Sequence, residues 1–389
     1  MATVAESVRH QDEHMQSTPV DLTDAKLGNT VKKENNCLVY KRGLCEMDKI
    51  KTEFDLDLRL SEPSLSLVEF FVRLDGDLVI LGIGGKIGSS LGQMAVRAVE
   101  LSGIKRKVYG VSRFSDAGTK EKLESFGVEA ISCDLLDREA VRRLPQVKNV
   151  IFMAGRKFGT SGGGEAMTWA MNTAVPANVA EHFHASRIVV FSTGCVYPLA
   201  TAASGGCTED TRPEPLGEYA QSCLGRERIF EYYASCYGTE VLLFRLNYAI
   251  DLRYGVLYDI ASAIRDGRPV NNSVGSFNAI WQGDVNDWAL RSLEHCSSPA
   301  AVLNVTGPET TSVEYAAERM GKILGRPVSY SQPVAGETGY LSNAAKAFGL
   351  FGYPRVSMGE LIPLQAEWLL QGGRTLNKAT HFEVNNGKF

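Results

Sequence analysis

The 389-residue chain has no apolar run near the roughly 20 residues that cross a bilayer as a helix, so no membrane-spanning segment and no membrane partner are expected. Met1 to Gln16 carry charges but no apolar stretch, and no secretory signal is expected there. The formal net charge of −4 holds no basic excess, which argues against a nucleic-acid surface. Eight cysteines lie between Cys37 and Cys296 without close pairs at metal-ligand spacing, and six histidines form no cluster, so no metal site is expected. The thiols read as small hydrophobes in a reduced, cytoplasmic setting, and His182 and His184 as structural residues near a helix end. Residues 1–36 lack Phe, Tyr and Trp and are expected to form a disordered polar tail. No internal repeat is present.

What the chain does have is concentrated in residues 77–102. Leu78 to Leu81 form a short unbroken apolar run, as in a parallel strand buried on both faces. Gly82, Gly85 and Gly88 follow at intervals of three. Ile87, Leu91, Met94, Ala98 and Leu101 then recur at helical spacing, and Gly103 stops the helix. Strand, glycine turn and helix N-terminus together make an anion site, because amides and the positive end of the helix dipole face whatever occupies the turn. A pyrophosphate fits, and the reading is a dinucleotide site.

The length suggests two domains, or one with additions. Beyond the glycine turn, candidate strands lie at Lys107 to Val111, Glu129 to Ser132, Asn149 to Met153, Ile188 to Ser192 and Val241 to Leu246. Helices are expected around Lys120 to Phe126, Asp137 to Leu144, Glu165 to His184 and Glu218 to Tyr237. This alternation predicts an α/β, doubly wound parallel sheet of Rossmann-like type, with ligands beyond the carboxyl ends of its strands. Residues 37–76 read as an extension docking on that domain through Leu65, Leu67, Val68, Phe70, Phe71 and Leu74, with Asp75-Gly76 as the turn into the first strand. Residues 77–250 are then the dinucleotide domain and 251–389 mainly a substrate-binding cap, including the strand-like Ala301 to Val305. Gly162 to Gly164, beside Ser161, read equally as a mobile lid or an ordinary surface loop.

With these elements placed, the chain from about Asp77 to its C-terminal region resembles the extended short-chain dehydrogenase/reductase superfamily, and within it the NAD-dependent epimerase/dehydratase family. The resemblance rests on the three glycines, Asp134-Leu135, Met153-Ala154-Gly155, Asn172, Ser192-Thr193-Gly194-Cys195-Val196-Tyr197 and Tyr219. It implies that Gly82, Gly85, Lys86, Ile87 and Gly88 cradle the cofactor and that Asp134 and Leu135 lie at adenine. It further implies that Ala154 and Gly155 lie against the cofactor and that Lys157 contacts its ribose. A homodimer through the helices after the fourth and fifth strands is implied as well. Charge bears on cofactor choice: NAD sites usually place a carboxylate after the second strand, whereas Ser112-Arg113 stand here. With Lys86 inside the turn and no carboxylate at that place, NADP(H) is expected over NAD(H), which stays open.

The resemblance assigns Tyr219 to exchange a proton with a substrate hydroxyl or carbonyl, and Thr193 to hydrogen-bond the same oxygen. It also expects a lysine one helical turn after the tyrosine, where this chain has Cys223. Without a nearby cation a phenol keeps its ordinary value of about 10 and is a poor base at neutral pH. Arg226 or Lys157 could substitute, Tyr219 could serve only as an acid, or oxidoreduction could be lost; Cys223 itself reads better as a buried thiol than as a nucleophile. Asn247, Tyr248, Arg253 and Tyr254 are candidate substrate contacts, Asp284 a helix N-cap, and Asn304-Val305-Thr306-Gly307 structural. The expected function is an NAD(P)-dependent oxidoreductase, epimerase or dehydratase acting on a sugar or sugar-like small molecule. The alternative is a non-catalytic NADP(H)-binding regulator or interaction protein.

Overall fold

A computed structural model describes residues 50–157, 163–384 and 387; the expected tail at 1–36, the start of the extension at 37–49, and Ser161 and Gly162 lie outside the described residues. Seven strands form one sheet: β1 (Leu78–Leu81), β2 (Val108–Ser112), β3 (Glu129–Ser132), β4 (Asn149–Phe152), β5 (Arg187–Thr193), β6 (Val241–Leu246) and β7 (Ala301–Val305). They are ordered β7-β6-β5-β4-β1-β2-β3, and every pairing is parallel. β1 and β4 are buried at every position, which is why they read as unbroken apolar runs. The chain winds outward from β1 to β3, then returns to β4 on the other side of β1. The sheet therefore changes direction between β1 and β4, and a crevice opens beyond their carboxyl ends.

Helices cover both faces. Leu65–Arg73, Gly88–Ser102 and Gln282–Arg291 pack Phe71, Met94 and Trp288 against Ile80 and Ile151 on one face. Val175–His182 and Gly217–Tyr237 pack Val179 and Phe230 against Leu81 and Phe152 on the other. A separate core joins the helices Val256–Arg265, Val313–Leu324 and Met358–Leu370, with Leu56 and Leu60 of Glu53–Leu60 inserted into it. Among the described residues no helix is long and apolar enough to cross a membrane.

Three local expectations are corrected. Ala301–Val305, read as part of the cap, is the edge strand of the main sheet, paired with Val241–Leu246. Burial of Leu303 and Val305 against the sheet core sets its place, and that contact spans too many residues for local pattern to reveal. The helix expected at Glu165 to His184 has a π-helical turn at Ala170–Ala174, which carries the buried Asn172, and ends at His182. Asp284 sits inside the helix that begins at Gln282; its carboxylate accepts the Arg355 amide at 2.9 Å and Arg355 Nε at 2.7 Å, so it clamps a distant segment instead of capping its own helix.

Candidate active site

The crevice at the sheet's switch point is a cleft of about 280 Å³ lined by Gly82, Gly84, Gly85, Ser112, Arg113, Asp134, Leu135, Ala154 and Gly155, among others. Eight of the residues expected at the cofactor therefore meet in one place. Gly82 has φ +91°, and a Cβ there would lie 2.6 Å from the Ala154 amide nitrogen, so only glycine permits the two strand ends to approach. A Cβ at Gly88 would lie 2.0 Å from the Ile83 carbonyl oxygen, so this glycine seats the helix on the turn. Gly85 differs: the space its side chain would fill has no protein atom closer than 3.4 Å. The helix begins at Gly88 without a side-chain cap. An open cradle before an uncapped helix N-terminus fits the diphosphate of a dinucleotide.

The structure separates Lys86 from Arg113. Arg113 is exposed at the rim of the cleft, whereas the Lys86 ammonium lies 3.2 Å from the centre of the Tyr254 ring. Burial, with Lys157 and Lys378 adding repulsion, lowers that ammonium to about 8. Asp134 accepts the Leu136 amide at 3.0 Å in a local turn. The sequence reading missed Asp116, which also lines the cleft and caps the helix Ala117–Ser125 through Gly118 N and Thr119 Oγ1. The position after the second strand thus has a carboxylate three residues beyond Arg113, already bonded to its own helix. Phe114, Ser115, Thr119, Cys133 and Met171 also line it, without any local motif to announce them.

Tyr219 enters from the helix Gly217–Tyr237, and Thr193 at the end of β5 is among the side chains that face its phenol. Thr193 is buried and accepts the Cys195 amide at 3.2 Å, which fixes its hydroxyl. Burial pushes the Tyr219 phenol well above its ordinary range; Cys223 and Cys195 push the same way, and Arg226 and Thr193 oppose them. Tyr219 is therefore protonated at neutral pH. Lys157 Nζ lies 5.8 Å from the centre of its ring and 3.4 Å from the Thr380 carbonyl oxygen.

The four proposed substrate contacts divide. Tyr254 holds Lys86, and Tyr248 sits at the end of β6 with φ +42°, an uncommon conformation for a bulky residue. Asn247 is buried and donates to Asn278 Oδ1 at 2.7 Å and the Tyr340 carbonyl at 2.8 Å. Arg253 is held by Asp251, Asp57 and Glu53.

A C-terminal segment crosses between the two sides. The Thr380 amide and hydroxyl both donate to Asp259 on the helix Val256–Arg265, the amide at 2.8 Å. Burial raises the Asp259 carboxyl from 3.8 to about 6, with Thr380 and His381 opposing and Glu383 adding. A carboxyl raised on folding favours the protonated form, so its contribution to stability is present below its unfolded value and is lost as pH rises through its folded one. Stability is therefore expected to fall by roughly 1–3 kcal/mol between about pH 4 and pH 7, and Asp259→Asn to flatten that fall. Urea unfolding across this range measures it; parallel profiles for the two proteins would count against the assignment.

Residues 78–250 match the model of the NAD dependent epimerase/dehydratase family. No curated protein sequence matches the chain. Among solved structures, a Bacillus cereus UDP-glucuronic acid 4-epimerase in complex with NAD is 18% identical with a TM-score of 0.61, covering 76% of this chain and 99% of its own. A Thermotoga maritima UDP-glucose 4-epimerase with UDP-glucose is 20% identical, TM-score 0.61, with the same coverage. A Bacillus anthracis dTDP-glucose 4,6-dehydratase in complex with NAD is 15% identical, TM-score 0.63, covering 76% of this chain and 96% of its own. At these identities the likeness to solved structures is one of fold. Residues 78–250 are thus similar to the NAD-dependent epimerase/dehydratase family.

Proposed function

We propose that the protein is an NADP(H)-preferring oxidoreductase of this family that reduces a carbonyl on a sugar-like substrate, with Tyr219 as proton donor and Thr193 as its partner at the reacting oxygen. The observation that carries this reading is Tyr219 facing Thr193 at the end of β5, in a fold whose switch-point cleft fits a dinucleotide. A bound nicotinamide would supply or accept the hydride. Gly82, Gly85 and the helix from Gly88 would hold its diphosphate, and Ala154 and Gly155 would form the floor beside it. A protonated phenol suits reduction, where the forming alkoxide needs a proton, better than oxidation, which begins by removing one. The substrate class is drawn by analogy from relatives whose names include UDP-glucose, UDP-glucuronic acid and dTDP-glucose.

Arg113 at the exposed rim supports the preference for a 2′-phosphate, since a guanidinium forms charge-assisted bonds to phosphate. Arg113→Ala is expected to weaken NADPH binding about 10- to 100-fold and to leave NADH binding within about twofold. Fluorescence titration with both nucleotides measures this, and equal affinities in the unaltered protein would remove the preference. The function itself is tested by denaturing the purified protein, identifying released nucleotide by mass spectrometry, and screening carbonyl compounds with NADPH. Exchangeable NADPH with turnover supports a reductase. Tightly retained NAD would favour an epimerase or dehydratase that recycles its cofactor. Nucleotide binding without any turnover, with a partner captured only in its presence, would favour the regulator.

A further inference from the structure

Cys223 occupies the position one turn beyond Tyr219 and is fully buried, with burial pushing its thiol up. It brings no charge to the site. Arg226, two turns beyond Tyr219, is also buried, and helical side chains lean back toward the N-terminus. Its guanidinium donates from Nη1 to the Phe191 carbonyl at 2.8 Å and from Nη2 to Asn172 Oδ1 at 2.7 Å. Asn172 Oδ1 also accepts the Arg156 amide at 2.9 Å, and its Nδ2 donates to the Arg156 carbonyl and Ser222 Oγ. A Cβ on Gly155 would lie 2.3 Å from Arg226 Nη2, so the cofactor-side turn passes directly over the guanidinium.

This cation is not neutralised in the usual way. Among the described residues no carboxylate lies within ion-pair distance of Arg226, although Glu227 is its neighbour in sequence; Glu227 pairs with Arg245. Arg226 Nε is buried without a hydrogen-bond partner. A buried guanidinium facing only neutral acceptors keeps its field for whatever charge forms nearby, and a low-dielectric surround strengthens that field.

We infer that Arg226 is a positioning residue that supplies, from two turns along the helix, the positive charge that residue 223 lacks, and that it sets the Ala154–Gly155 floor through Asn172. The inference rests on the reading of Tyr219 as the proton-exchanging group. The groups facing Tyr219 are Cys223 and Arg226 on its own helix, Thr193 and Cys195 at the end of β5, and Lys157 from the loop after β4. Lys157 is the rival cation, with its ammonium over the ring face.

The test places a fluorinated tyrosine, whose phenol titrates within the protein's stable range, at position 219 of the full chain and follows it by fluorine NMR. Arg226→Met is expected to raise its apparent pKa by about one unit, and Arg226→Lys, which keeps the charge, by no more than a few tenths. NADPH affinity should fall several-fold in the methionine variant as the Gly155 floor loosens. An unmoved titration in folded, nucleotide-binding Arg226→Met would overturn the inference, as would an equal shift in Lys157→Met alone. Should Arg226→Met not fold, the Arg226→Met/Cys223→Lys double variant restores a cation. A folded double variant with the unaltered titration supports the inference; failure to fold, or a folded protein with a raised titration, counts against it. The titration needs no turnover. It can fail while Tyr219→Phe still abolishes activity, and it can succeed in a protein that turns nothing over.

Discussion

Glu227→Gln is expected to lower the free energy of unfolding by about 3–5 kcal/mol, because it leaves the buried Arg245 guanidinium without its counter-charge. Glu227 is fully buried on the helix Gly217–Tyr237, and Arg245 lies on β6 with its side chain 4% exposed. Arg245 donates from Nε to Oε1 at 2.9 Å and from Nη2 to Oε2 at 2.6 Å, a two-point contact that fixes both groups. Burial works against the Arg245 charge, but the hydrogen bonds and charge of Glu227 outweigh it and hold the group above its ordinary range. The network continues: Ser192 Oγ donates to Glu227, Arg245 Nη1 donates to the Tyr197 hydroxyl, and that hydroxyl donates to Asn304 Oδ1 at 2.8 Å. Ser192 directly precedes Thr193, so the pair also braces the end of β5 that presents Thr193 to Tyr219. Urea unfolding followed by tryptophan fluorescence measures the loss. Adding Arg245→Met should recover part of it by removing the orphaned charge. A loss below about 1 kcal/mol in the single variant would mean that solvent reaches the pair.

How much of this was legible in the sequence follows the range of the interactions involved. The apolar run Leu78–Leu81, the glycines at 82, 85 and 88 and the helix to Ser102 are local features, and the structure builds the turn as read. The neighbouring strand ends lay within reach because parallel strands separated by single helices present their carboxyl ends to one crevice. Arg245 and Glu227 were not recognisable as partners, since neither residue type at its position announces a buried pair. Lys86 shows the same limit: its place in the glycine turn was certain, but the direction of a long side chain depends on Tyr254, far along the chain. Asp116 escaped a different way. Counting residues after a strand finds Arg113 but not a carboxylate that the next helix brings back to the same cleft. Asn304 did read correctly as structural, and it donates to the Cys207 and Asn343 carbonyls.

Tyr219→Phe is expected to reduce turnover about 10²- to 10⁴-fold, the usual contribution of a positioned proton donor. The substitution removes one hydroxyl and leaves the ring where it packs, against the buried cluster of Cys195, Ala220 and Tyr340. NADPH affinity should stay within about threefold and stability within about 1 kcal/mol, because only a single neutral hydroxyl is lost. Activity and folding thus separate, which a structural role for the hydroxyl would not produce. The pH dependence carries the sign of the mechanism. Burial holds the Tyr219 phenol well above 10, so the protonated form persists throughout the neutral range. A reductive rate that depends on that proton should stay level with pH until the phenol ionises and only then fall. A rate that climbs with pH through the neutral range would mean that the reaction uses a base, and would shift the reading from carbonyl reduction to hydroxyl oxidation. Full activity in Tyr219→Phe would remove Tyr219 from the chemistry, leaving Thr193 and the cleft as parts of a site that binds a dinucleotide without using it.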